Sequence, residues 1–461
     1  MNISFFKTAK YLLLLPMIGV VLVTTSTLFP FIVGKYVWFR SAVLVAFIVF
    51  LLGLLFESTA EVMWKKIVSL RRSPLVISIT VFVFIFLLAG FFGIDPANSF
   101  WSNFERGEGG LQMVSFYIYF LLLVTLNQEE KDWHRLFFWG IGGGLLMSAY
   151  GFLAGVGVDL IGPKFGSPGF RFQGSIGNSA YVATYAIFLM FYVAYLFVKK
   201  YNARFRSAGG IFMSLLFLLF FIVFIAAATR GGFVGFIVSA IGFLGYIGFA
   251  SKKWRKKFLV ATITLVILFG GIVTMSNTNL AKDLPGSRLF DLSVHAETFR
   301  HRTIMWKIAW DGFQARPILG WGPENFLQIF DTNFNTKYYD PSAGFGAWFD
   351  RAHSIYFDYL AETGILGFLS YFGIFVMFYI LLFKKSGLFA RKPELEKSSS
   401  KLSVTSRELL LENALLFALP LSYLVQGLVL FDVSIIYLNL FVFFALATYI
   451  LSKQERVTRN K

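Results

Sequence analysis

Cysteine is missing from all 461 positions, which excludes disulfide and thiolate chemistry. Histidine occurs only four times, as His134, His295, His301 and His353. No H-E-x-x-H pattern or carboxylate cluster with metal-ligand spacing stands in the loops expected outside, so chemistry without a metal or other cofactor is expected. Charge is scarce too: Asp, Glu, Lys and Arg make up 15% of the chain, against 57% hydrophobic residues that include 58 phenylalanines. A soluble globule keeps its apolar share below about half. With a mean hydropathy of +0.68, this chain is expected to be a polytopic membrane protein. A net charge of +17 would suggest nucleic acid in a soluble chain, but here the basic residues form short clusters between apolar runs, as topology signals do.

What is present is a series of apolar runs of spanning length, and an all-α fold of about twelve transmembrane helices follows. They are expected near 11–33, 37–56, 75–94, 111–126, 136–158, 179–198, 209–228, 231–250, 258–275, 356–383, 409–430 and 434–451. The first run is too long for a signal-peptide core and lacks an A-x-A site, so it is expected to stay as a membrane helix. About twice as many lysines and arginines fall on one side of this pattern as on the other, which puts both termini in the cytoplasm. Residues 1–275 then hold nine spans, 276–355 a long extracytoplasmic loop with short amphipathic helices, and 356–451 three more spans. The basic, Ser-rich segment 384–408 and the tail 452–461 are cytoplasmic, and no chemistry is assigned to them.

Several loops carry residues that apolar packing does not explain. Between the seventh and eighth runs there is almost no loop, only Ala228-Thr229-Arg230-Gly231-Gly232, and an arginine there must reach outward or face a polar cavity. Residues 299–316 have helical periodicity that sets Arg302 on one stripe with Trp306, Ala309 and Phe313, while Lys307, Asp311 and Gln314 fall opposite. Pro317 ends this helix, and a GWGPENF turn follows. The loop 95–110, DPANSFWSNFERGEGG, holds Arg106 as an interfacial anchor or a substrate contact, and 159–178 holds Arg171 ahead of a helix starting at Asn178 or Ser179. At FDRAHSIYFDYLAETGILG, residues 349–367, Asp350 can cap a helix start and set His353 in its first turn, where the helix dipole disfavours imidazolium. A neutral imidazole is what a general base needs. Arg351 beside it either binds substrate or pairs with Asp350 or Asp358.

Together, TRGGFVG at 229–235, RTIMWKIAWDGFQARPILGWGPENF at 302–326 and the histidine segment resemble the O-antigen ligase and O-antigen polymerase superfamily of membrane glycosyltransferases, over roughly residues 90–450. The resemblance implies that His353 is the catalytic base and that Arg230 and Arg302, with Arg351, bind the diphosphate of an undecaprenyl-linked glycan. Arg171, Arg106 and Arg316 are possible auxiliaries. Guanidinium forks suit phosphate oxygens and stay charged at physiological pH. Ser354 follows the histidine where asparagine is frequent in the superfamily.

The implied activity is metal-independent transfer of a glycan from undecaprenyl diphosphate to an acceptor hydroxyl or amide, at the outer face of the cytoplasmic membrane. The implied partners are that donor, a lipid, protein or glycan acceptor, and membrane lipids, with no nucleic acid. A repeat-unit polymerase of the same superfamily would use the same site. A twelve-helix secondary transporter also fits the span count, but such carriers divide into two six-helix halves joined by a long cytoplasmic segment. Here only KKYNARFR stands between runs six and seven.

Overall fold

The computed structural model describes residues 4–251, 253–275, 297–334, 349–386 and 404–459. His295, most of the basic segment 384–408 and parts of the long loop lie outside them. Every regular element among the described residues is helical, and nine helices are long and apolar enough to cross a membrane. The expected runs 37–56, 75–94, 136–158, 179–198, 209–228 and 231–250 are α2 (Val33–Phe56), α4 (Pro74–Phe91), α7 (Glu130–Gly155), α8 (Ser179–Lys199), α9 (Ala208–Ala226) and α10 (Arg230–Ala250). The last three runs are α14 (Ile355–Ser386), α15 (Val404–Gly427) and α16 (Ser434–Arg459). The runs 111–126 and 258–275 are α6 (Gly110–Leu126) and α11 (Arg255–Met275). Start signals fall where side chains can close the free amides: Asn178 accepts from Ala180 N at 2.8 Å, and Glu129 and Asp132 form a capping box on α7.

The first expected span is not one helix. Residues 11–33 are divided among α1 (Phe5–Leu12), a 3-10 turn (Leu15–Val21) that Pro16 starts, and an irregular stretch up to α2. This broken unit still runs antiparallel along α2: Phe6 packs on Gly53 at one end, and Trp38 Nε1 donates to Leu15 O (2.9 Å) further along. Carbonyls freed from helix hydrogen bonds need partners, and Lys35 Nζ supplies them by donating to Leu22 O (2.6 Å), Phe31 O (2.7 Å) and Ser175 O (2.8 Å). The α3 helix (Ala60–Leu70), between α2 and α4, lies on the surface with none of its residues buried.

Helices α8 and α16 form the centre, each with 89% of its apolar window covered by other helices. They are joined by Tyr192, whose hydroxyl donates to Asn439 Oδ1 at 2.6 Å and whose ring stacks on Phe137 at 4.5 Å. At one end of the bundle sits a smaller core. Its elements are α12 (Glu297–Ala315), α13 (Phe326–Thr332) and the first turns of α14, and α5 (Pro96–Trp101) is tied to it where Asn98 Nδ2 donates to Glu324 O at 2.8 Å. Met305, Ile308, Ala309, Trp321, Phe326 and Ile329 bury one another there with Ala352 and Ala361. The turn after α12 fits against a kink in α14 at Gly364 (φ 63°, ψ −167°), where a Cβ would stand 2.4 Å from the Ile318 backbone. Only glycine meets both conditions.

Candidate functional site

The arginine at the α9–α10 turn is placed by its neighbours. Thr229 precedes α10, and its hydroxyl donates to Ser179 O at 3.2 Å. Arg171 reaches the same turn, donating from Nη2 to Thr229 Oγ1 (2.9 Å) and from Nε to Ala227 O (3.2 Å). Arg171 therefore holds the backbone from which Arg230, half-buried, opens α10. The glycines after it serve close helix packing: a Cβ on Gly231 would come within 2.6 Å of Val429 on the α15–α16 connection.

Arg302 lies on α12, on the stripe that its periodicity predicts, with Trp306 stacked on Phe357 at 5.3 Å and Ala309 buried. On the other side Lys307 and Asp311 form an exposed ion pair. Burial, and then the like charge of Arg230, push the Arg302 guanidinium below its ordinary value. The two arginines, 72 positions apart in sequence, thus share one electrostatic site.

His353 stands just before α14 with φ 58°, and its ring lies edge-on to Phe349 (5.1 Å) and Phe431 (5.0 Å). Its Nδ1 is 3.2 Å from Arg351 O, so the tautomer with hydrogen on Nδ1 leaves the Nε2 lone pair available. Burial pushes the imidazole below its ordinary value; the bond to Arg351 O and the Asp350 charge oppose this, while Arg302 and Arg106 add to it. The expected cause was different. Asp350 does not cap the helix, which begins at Ile355, and His353 precedes the first turn. Asp350 instead accepts from Arg106 Nε (2.7 Å) and Nη2 (3.0 Å). Neutrality thus comes from desolvation and two neighbouring cations, not from the helix dipole.

Arg106 is further held over the Phe431 ring at 5.1 Å. Burial would push the Asp350 carboxyl up, but the Arg106 bonds and the Arg351 charge hold it below the usual range. Arg351 is buried and bonded to Glu324 and to Glu362 Oε1 (3.2 Å), rather than to Asp350 or Asp358 side chains. Burial alone would lower its guanidinium, but these carboxylates push it well above its ordinary value. Arg316 lies over the Trp321 ring at 5.2 Å, 14 residues or about 21 Å along the helix direction from Arg302. Of the predicted set, Arg230, Arg302 and His353 come together, Arg106 and Arg351 adjoin them through carboxylates, and Arg316 stands apart. His134 is at the other end of the bundle beside Glu130 (3.6 Å).

The sequence reading missed the acidic layer beneath the histidine. Glu108, Glu324, Asp358, Glu362 and Asp432 line a cavity of about 30 Å³ with Arg351, a size for roughly one water. Glu108, whose carboxylate accepts from Ser434 N, is pushed up to about 8 by burial and by Glu324. Four of these acids stand within ERGEGG, GPENF and DYLAET, short polar insertions next to apolar runs, which was the available signal.

A helical membrane bundle with an arginine–histidine site at one end is the class that fold and site define. Residues 215–372 match the family model described as O-antigen ligase, and the match supports the resemblance to the O-antigen ligase superfamily. The matched segment contains Arg230, Arg302 and His353. No curated protein matches the chain.

Proposed function

We propose that the chain transfers a glycan from an undecaprenyl-diphosphate carrier to an acceptor hydroxyl or amide at the outer face of the cytoplasmic membrane, with both termini inside. The observation that carries this reading is the convergence of Arg230 and Arg302 beside a half-buried imidazole whose surroundings disfavour its protonation.

In this reading the two guanidinium forks hold the diphosphate and stabilise the charge that grows on it as the sugar–phosphate bond breaks. His353 Nε2 takes the proton of the acceptor hydroxyl while the oxygen bonds to the anomeric carbon. The products are the glycosylated acceptor, undecaprenyl diphosphate and a protonated histidine, which returns its proton to solvent. Arg351, Arg106 and Arg171 act through other residues. Arg351 ties the histidine loop to Glu324 and Glu362, Arg106 fixes Asp350, and Arg171 fixes the turn that carries Arg230.

The test is reconstitution of the full chain in vesicles with an undecaprenyl-diphosphate-linked glycan. The expected result is release of undecaprenyl diphosphate together with glycan on an added acceptor. Chain growth on the donor's own glycan would identify the repeat-unit polymerase, and binding without turnover under either condition would overturn the reading.

A further inference from the structure

We propose that the end of the bundle opposite the arginine–histidine site binds one anionic glycerophospholipid, with an acyl chain in a groove between α2, α3, α4 and α6 and its phosphate against Arg71. The groove measures about 580 Å³, and its lining includes Phe50, Leu54, Trp64, Ile67 and Leu121. This lies within the ~300–1,000 Å³ usual for small-molecule pockets. The inference is independent of the proposed activity.

Three features select this occupant. The first is length: the lining runs along α2 from Phe47 to Leu54 and along α6 from Tyr117 to Thr125, about 12 Å of helix. One leaflet of a ~30 Å hydrocarbon core is ~15 Å deep, so the groove matches a chain from one leaflet. On α4 the lining stops at Val81, with a further 10 residues, about 15 Å, before the helix ends at Phe91 near the other site.

The second is polarity. Thr80 Oγ1 lies 2.8 Å from Tyr117 OH, so the hydroxyls in the groove satisfy each other and ask nothing of a ligand. The remaining polar lining is Thr125 and one charged residue, Arg71. Arg71 makes no ion pair among the described residues and stands exposed where α3 ends. A cation at the mouth of an apolar groove complements an anionic head with a hydrocarbon tail.

The third is α3 itself. It turns Trp64 and Ile67 into the groove lining while Lys65 pairs with Glu61 at 2.6 Å in full exposure. Trp64 is nevertheless 57% exposed and Val62 70%. An amphipathic helix with its apolar side uncovered suits the plane of a membrane interface, and there it lies over the mouth of the groove.

The test uses the full chain in nanodiscs of defined composition, followed by native mass spectrometry of lipid retained after delipidation. Wild type should keep one phosphatidylglycerol and retain phosphatidylcholine several-fold less. Arg71→Gln, at an exposed position that leaves packing intact, should lower phosphatidylglycerol retention about fivefold. Leu121→Trp, which fills the groove, should abolish it. Equal retention of the two lipids by wild type, or unchanged retention in Arg71→Gln, would overturn the proposal even if Leu121→Trp fails to fold.

Discussion

Arg106 and Asp350 lie 244 positions apart in sequence and are joined by two parallel hydrogen bonds of 2.7 and 3.0 Å. The pair fastens the 95–110 loop to the histidine loop. Because Asp350 is held below the usual carboxylate range in the folded chain, it binds its proton less readily there than in the unfolded chain. Its stabilisation is therefore complete above about pH 4, the unfolded value, and is lost as pH falls through the lower folded one. Thermal unfolding in detergent, scanned from pH 6 to 3, should show this loss, and Asp350→Asn should remove that part of the acid sensitivity.

The imidazole of His353 gives a second pH dependence, read in rate. Its folded pKa is pushed down, so the neutral base is recovered as pH rises through a value below the ordinary figure of about 6.5. Transfer by the reconstituted chain should climb through that lower value. His353→Ala should lower transfer by about 10²- to 10⁴-fold while donor binding persists. His134→Ala, at the opposite end of the bundle, should cost far less. Wild-type transfer by His353→Ala would send the search for the base to Asp350, Asp358 and Glu362.

Replacing Arg230 or Arg302 with lysine keeps the charge and removes the bidentate fork. Donor turnover should fall well below wild type in each, at near-normal protein levels. Unchanged turnover in both would mean that the two guanidinium groups only anchor their helices at the interface.

Arg351 should behave differently from Arg230 and Arg302. Its side chain is 7% exposed and Glu324, its partner, 3%. Arg351→Ala strands two buried carboxylates, a change that typically costs about 3–5 kcal/mol. The expected outcome is a large drop in melting temperature measured without substrate. A variant that melted normally yet lost transfer would instead make Arg351 a substrate ligand.

The loop assigned to the outside can be checked directly in this cysteine-free chain. Ser287→Cys should react with an impermeant maleimide on intact spheroplasts, and Ser400→Cys should not. The reverse pattern would invert the orientation.

The spans were legible because their signal is local: a run of apolar residues of bilayer length fixes its own helix, as at 179–198 and 209–228. Residues 11–33 misled for the same reason, since an apolar run does not reveal that Pro16 and the Lys35 bonds divide it. Arg302 could be placed by helical period, which also works within one segment. The pairing of Arg351 with Glu324 could not, because each partner sits in a different irregular turn, Glu324 at φ 68°. Nor could the cause of the lowered His353 pKa, which depends on Phe431, Arg106 and Arg302 arriving from three other segments.

The kinked start of α14 also bears on how the chain is made. Trp321 and Gly322 donate their backbone N–H groups to Ala361 O (3.1 Å) and Glu362 O (2.8 Å), two carbonyls just before Gly364. Synthesis runs from the N-terminus, so residues 297–334 leave the ribosome before the helix that receives them. Arg230 is in its helix early, yet its partner site is assembled only when α14 arrives and the 316–322 turn seats against it. Until then Trp321 and Phe326 lack the cover that Ala352 and Ala361 provide. The small core at this end of the bundle therefore closes only once α14 has been made.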